Sequence, residues 1–205
     1  MYTSAGIIAL CSGLAGQKVM AKYEQPSYEV LQKNGDIELR QYQPRIIASV
    51  EVPASDKDAA NQAFRILAGY IFGKNKGQQK VAMTVPVTEE VKAEKIAMTI
   101  PVTEEKIGQS MRMSFNMPTK YTLDSLPKPN DERIKFSTLP PARFVTIRFS
   151  GFASAAAFDK HTKILKSYMS EHQLKESGQP MKAFYDAPWT LPFFRRNEVL
   201  IAVDG

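Results

Sequence analysis

The residues best suited to hold a metal or move a proton are the two histidines, His161 and His172. On one helix they would point within about 20° of each other but lie about 16 Å apart along its axis, which rules out a shared metal ion. His161 falls inside an apolar stripe and is the weak candidate for a metal ligand, against the plainer reading of a hydrogen-bonded, half-buried imidazole. His172 sits among Glu171, Gln173 and Lys175 and reads as exposed. The only cysteine, Cys11, lies near the start, so the rest of the chain has no disulfide, thiolate nucleophile or Cys-ligated metal. Lys74-Asn75-Lys76-Gly77 has the charge of a phosphate loop but not its glycine pattern, and neither HExxH nor a nucleophile elbow occurs. The pairs Glu89/Glu90 and Glu104/Glu105 read as solvated charge beside turns. No catalytic residue is assigned, and nothing in the chain reads as an assembled enzyme active site.

The methionines carry a different chemistry. Met83, Met98, Met111, Met113, Met117, Met169 and Met181 are flexible and polarizable among otherwise branched residues. They suit a pocket for a large flat apolar ligand, and they suit an ordinary core equally well. The formal charge of +6 comes from 27 basic against 21 acidic residues, interspersed and without the basic stripe of a nucleic-acid surface. Such a field helps collect small anions.

These residues need elements to position them. Apolar alternation predicts strands over residues 28–31 and 37–42, joined at Asn34-Gly35, and a third over 45–52 stopped by Pro53. Ser55 is the expected N-cap of a first helix. Its stripe is Ala59, Ala60, Ala63, Phe64, Leu67, Ala68, Ile71 and Phe72, which must lie against a sheet. Residues 81–90 and 96–105 are two copies of one pattern, each read as a strand carrying a proline at an edge, a bulge or a strand separation. Further strands are expected over 111–117, 133–137, 144–149, 181–185 and 199–203. Pro127, Pro129 and Asn130 mark a surface loop. Ser154 should cap a second helix reaching about residue 174, with Phe158, His161, Ile164, Leu165, Tyr168, Met169 and His172 inside.

Residues 1–21 read as an apolar leader and residues 22–205 as one domain. Residues 6–14 are about half a membrane span and match a signal-peptide core, with Val19-Met20-Ala21 as a cleavage site. An exported or periplasmic setting is favoured. A membrane tether, which would bring the domain close to a bilayer, an organellar address and the cytoplasm are the alternatives.

The ordered motifs Lys80-Val81-Ala82-Met83-Thr84-Val85-Pro86-Val87 and its copy over 95–102, Ser114-Phe115-Asn116-Met117-Pro118, Leu126-Pro127-Lys128-Pro129, Arg148-Phe149-Ser150-Gly151 and Ala187-Pro188-Trp189 through Val199 resemble the SOUL/heme-binding protein family over residues 23–203. The resemblance implies an α+β fold: an eight-stranded distorted β-barrel, antiparallel or mixed, with two long covering helices and pseudo-duplicated halves. It implies heme or another tetrapyrrole, a small flat apolar ligand with anionic groups, in an apolar cleft beside the first helix. The matching wall residues are Phe64, Leu67, Ala68 and Ile71 from the helix and Met83, Met98 and Met113 from strands. Arg195 is a candidate for the propionates or a structural pin. The first half has no histidine, so strong axial His ligation is not expected. Noncatalytic binding, buffering or transport follows, with a protein- or membrane-interaction module and a tetrapyrrole-modifying enzyme as alternatives.

Overall fold

The computed structural model describes residues 23–77 and 93–204. Its first element is the expected hairpin, β1 (Tyr28–Asn34) and β2 (Ile37–Tyr42). The turn is one residue later than predicted, because Asn34 pairs with Ile37 and Gly35-Asp36 makes the reversal. Gly35 has φ +57°, a region a side chain would strain. Asn34 therefore closes the ladder and does not form the turn.

The remaining elements are β3 (Arg45–Pro53), α1 (Ala59–Ile71), β4 (Asn75–Lys76), β5 (Val102–Ile107), β6 (Ser110–Asn116), β7 (Lys128–Pro129), β8 (Lys135–Leu139), β9 (Ala142–Phe149), α2 (Ala155–Glu171), β10 (Met181–Phe184) and β11 (Asn197–Val203). Nine strands form one sheet in the order β1-β2-β9-β11-β10-β5-β6-β3-β8, and every strand pairing within it is antiparallel. Apart from the extra edge strand β1, the order is symmetric about the β10–β5 contact. On one side lie β9, α2, β10 and β11; on the other lie β3, α1, β5 and β6. The halves exchange an arm, since β2 pairs with β9 and β8 pairs with β3. Only Gln43-Pro44 separates β2 from β3, so strand ends near opposite edges of the sheet lie within about 11 Å. That short link forces the sheet to curl into an open, barrel-like form, as the α+β reading requires. The principal sheet holds nine strands among the described residues where eight were expected.

The helices cover one face. α1 packs on β3 and β6, and α2 on β9 and β11. Ser154 caps α2 as predicted, its hydroxyl accepting from the Ala157 N–H at 3.2 Å. Ser55 does not cap α1. Asp58 occupies that position without a cap bond, its carboxylate taken by the Asn61 amide at 2.6 Å and by Arg65. The buried stripe of α1 is Ala59, Ala63, Leu67, Tyr70 and Ile71, while Ala60, Phe64 and Phe72 face outward. The predicted stripe omitted Tyr70, whose hydroxyl donates to the Pro127 carbonyl at 2.9 Å and turns that side of the helix inward. On α2 only Phe158, Leu165 and Met169 are buried, and Ile164 is exposed.

The second copy of the repeat is a strand only after Pro101, where β5 begins. Before it, residues 93–101 cross the helix end: Ile96 N–H donates to the Ile71 carbonyl at 2.8 Å, and Ile100 N–H to that of Glu24 at 2.9 Å. The buried Asn75 side chain fixes this path, donating to the Tyr70 and Glu94 carbonyls and accepting from Glu94 N–H. The first copy lies outside the described residues. The proline loop is not wholly superficial either, because Leu126 and Pro127 are buried and Lys128–Pro129 pairs with β4.

Candidate functional site

Among the described residues, neither helix packs mainly on the centre of the sheet. β5 and β10 lie at the centre of the strand order, and the helix contacts fall on the strands flanking them. Val102, Glu104 and Lys106 share the face of Met113 and Phe115, which pack under α1, and Lys182 and Phe184 share the face of Val199, which packs under α2. The pairs Val102/Phe184 and Glu104/Lys182 therefore form the floor between the two helices, termed the trough below, with Val102 buried and the other three half-buried.

Aromatic rings stand on both sides of this trough. The α1 flank bearing Gln62, Ile66 and Tyr70 faces residues 130–134, and Ala60, Phe64 and Ala68 lie on the opposite, more exposed flank. The Phe64 ring lies 5.6 Å from Phe115 and is still 38% exposed. Across the trough, Phe184 lies 5.2 Å from Phe158 of α2, and the Lys182 ammonium is 5.5 Å from the Phe158 centroid. Burial raises the Glu104 carboxyl above its usual range, opposed by the Lys182 charge. Apolar walls over a fixed cation are the complement of a flat amphipathic anion.

The wall residues read from sequence divide by depth. Phe64 and half-buried Ala68 line the flank of α1. Leu67, Ile71 and Met113 lie beneath the helix in the first core, with half-buried Met98 packed against it. Met83 lies outside the described residues. Arg195 is not part of this cluster: its guanidinium donates to the Thr190 carbonyl at 2.7 Å and to that of Pro188, pinning a loop. His161 Nδ1 is 2.7 Å from the Ala157 carbonyl, and its ring stacks on Phe149 at 3.9 Å. No group of three or more His, Cys, Asp or Glu side chains able to hold a metal occurs among the described residues.

Sequence reasoning read Glu104 as solvated charge, whereas the strand half-buries it, and it passed over Lys182 and Phe184, whose only signal was a polar and an aromatic residue alternating on a short strand. It also passed over a charged cluster on the sheet face turned away from the helices. There Glu198 accepts from Arg40 and from Arg196 Nε at 2.9 Å, and the Tyr185 hydroxyl donates to it at 2.8 Å. Burial alone would raise the Glu198 carboxyl, but the hydrogen bond and charge of Arg40, with Arg196 and Tyr185, hold it below the usual range. Nearby, Arg45 lies over the Tyr42 and Phe144 rings at 4.9 and 5.8 Å, and its Nη1 is buried without a partner. It lines a cleft of about 580 Å³ with Ile46, Met117, Tyr121 and Leu123.

The family model described as SOUL heme-binding protein matches residues 23–202. Heme-binding protein 2 of Mus musculus is 29% identical over 186 residues, covering 86% of this chain and 84% of the relative. Heme-binding protein 2 of Homo sapiens is 30% identical over 171 residues, covering 80% and 77%. Among solved structures, the EcmrR C-terminal domain superposes with TM-score 0.56 at 14% identity, covering 86% of this chain and 98% of that one. A hydrolase from Listeria innocua superposes with TM-score 0.52 at 11% identity, covering 85% and 94%. At these identities the structural likeness speaks for the fold alone.

Proposed function

We propose that this chain, which belongs to the SOUL heme-binding protein family, is a noncatalytic carrier or buffer that holds heme or a related tetrapyrrole in the trough between α1 and α2. The observation that supports this reading is the exposed Phe64 beside Phe115 on the α1 side of the β5–β10 seam, with the Phe158/Phe184 pair and Lys182 on the α2 side. A planar macrocycle offers two apolar faces to such walls, and its carboxylates pair with a cation at the floor or rim. Ala68 deepens the α1 side, and the buried Leu67, Ile71 and Met113 hold that helix in place.

The residues fit a tetrapyrrole bound by shape and charge. Neither histidine is among the residues that floor or flank the trough, His161 stacking on Phe149 and His172 on Tyr168, which supports binding without an axial His bond. At about 25 cal/mol per Å², burying roughly 300 Å² of ligand surface supplies about 7 kcal/mol before the costs of association. A micromolar complex corresponds to about 8 kcal/mol net, so the charge pair with Lys182 and further buried ligand surface must supply the remainder. The bound group would supply its own redox and ligand chemistry, while this chain's residues shield, orient and release it. The apolar segment 6–14 supports placing that role outside the cytoplasm.

Hemin titration of the purified protein, followed by absorbance and by Trp189 emission, tests the reading. A saturable change at micromolar hemin that is weakened about tenfold by Phe64→Asp is expected. Saturation unaffected by Phe64→Asp and Lys182→Glu would move the ligand elsewhere, and no saturation below tens of micromolar would remove the carrier role.

A further inference from the structure

A second surface is carried by the loop that follows β10. The loop between β10 and β11 and the turn after β9 meet through backbone, with Gly151 N–H donating to the Pro192 carbonyl at 2.8 Å and the Asn197 amide to the Gly151 carbonyl at 3.3 Å. Together they present Phe152, Trp189, Leu191, Phe193 and Phe194 to solvent, with Trp189 86% and Phe194 72% exposed. Isolated apolar residues on a surface need no explanation, but a contiguous cluster of large rings does.

The cluster is held out, not left loose. Thr190 N–H donates to the Ala187 carbonyl and Phe194 N–H to that of Leu191, both at 2.9 Å, and the Arg195 guanidinium ties the Thr190 and Pro188 carbonyls. Phe193 and Phe194 lie 4.5 Å apart, and Arg195 lies 6.0 Å from the Phe152 ring. The backbone thus satisfies itself while the rings find no core.

Charge identifies the occupant. Residues 149–157 and 187–196 contain no carboxylate, and their only charged side chains are Arg195 and Arg196. Arg196 is committed to Glu198, which leaves Arg195 as the outward cation among the rings. A projecting, self-bonded tip of tryptophan, phenylalanine and leucine beside an arginine complements the interfacial layer of a bilayer, where amphipathic rings sit at headgroup depth and anionic lipids attract the cation. A loop tip of this size reaches only the interfacial layer, so the contact is shallow. We infer that this aromatic tip inserts into the interface of a bilayer containing anionic lipid, docking the domain peripherally.

Trp189 is the only tryptophan, so its emission reports the tip itself even if the leader also touches lipid. The full chain is mixed with vesicles of phosphatidylcholine, with or without about a quarter phosphatidylserine, and with lipids brominated high on the acyl chain. Expected are a blue shift and bromine quenching of Trp189, about fivefold weaker without phosphatidylserine. F193S combined with F194S should weaken the quenching titration about a hundredfold, with an unchanged melting temperature because neither ring is in a core. An unshifted, unquenched Trp189 overturns the inference. So does a blue shift that rises with protein concentration in the absence of lipid, which would assign the tip to a second copy of the chain. A hemin titration unaffected by F193S/F194S would show that this surface and the trough succeed or fail separately.

Discussion

Arg40 and Glu198 meet as a two-pronged ion pair, Nη1 to Oε2 at 2.7 Å and Nη2 to Oε1 at 3.0 Å, between strands 158 residues apart in sequence. Both side chains are almost wholly withdrawn from water. Glu198 is the shared acceptor of the cluster, since Arg196 and Tyr185 also bind it. Glu198→Gln leaves the Arg196 guanidinium without its carboxylate and Arg40 with Glu38 alone, at 2.8 Å from its Nε, and should cost about 3 kcal/mol in urea denaturation. Arg40→Met leaves Glu198 with Arg196 and Tyr185 and should cost clearly less. Equal losses would mean that Arg40, not Glu198, is the centre of the network.

Two glutamates should give the stability profile opposite slopes. The folded state holds the Glu198 carboxyl below the ordinary value of about 4.3, so its contribution is present above that pH and lost as pH falls through the folded value. Burial raises Glu104 instead, so the folded state binds the extra proton and stability falls as pH rises from about 4.3 through the folded value. Glu104→Gln should accordingly be more stable than the parent at neutral pH and indistinguishable from it in strong acid. Thermal melts across that range check the sign, and a variant less stable at neutral pH would show that Lys182 outweighs the burial of Glu104.

The sequence made some of these features legible and hid others for physical reasons. Hairpins, the Ser154 cap and the second-half strands depend on residues close in the chain, and local chemistry revealed them. The phase of α1 did not come through, because Tyr70 counts as polar at its hydroxyl although its ring is core, and that hydroxyl is satisfied only by the distant Pro127 carbonyl. The copy over 96–105 read as one strand because its apolar alternation continues through Pro101. Its first part is instead held by Ile71, Glu24 and Asn75, none of them in the repeat. The trough was half visible: Phe64 and Ala68 lie on a recognisable helix, but Lys182 and Phe184 join them only because β10 pairs with β5 across the pseudo-symmetry axis.

Capping offers a paired test of that local reading. Ser154→Ala removes the acceptor for the Ala157 N–H and should destabilise the fold by about 1 kcal/mol. Ser55→Ala should be neutral, since α1 begins after Asp58. Chemical denaturation of the two variants side by side distinguishes them, and a loss at Ser55 would place the start of α1 a turn earlier.

The most discriminating prediction concerns what the trough recognises. If Phe64, Phe158 and Phe184 hold the ligand by its faces and Lys182 by its charge, the central metal contributes little. Metal-free protoporphyrin should then bind within about threefold of hemin, because neither histidine is needed as a ligand. Esterifying the carboxylates removes the partner of Lys182 and should weaken binding about fivefold to tenfold, and Lys182→Met should weaken the free acid equally while leaving the ester unchanged. Equilibrium titration of these ligands against the parent, Lys182→Met and His161→Ala proteins separates the terms. Hemin that outbids protoporphyrin by a hundredfold, with the advantage abolished in His161→Ala, would instead assign the binding to a metal bond at α2, and the aromatic trough would lose its role.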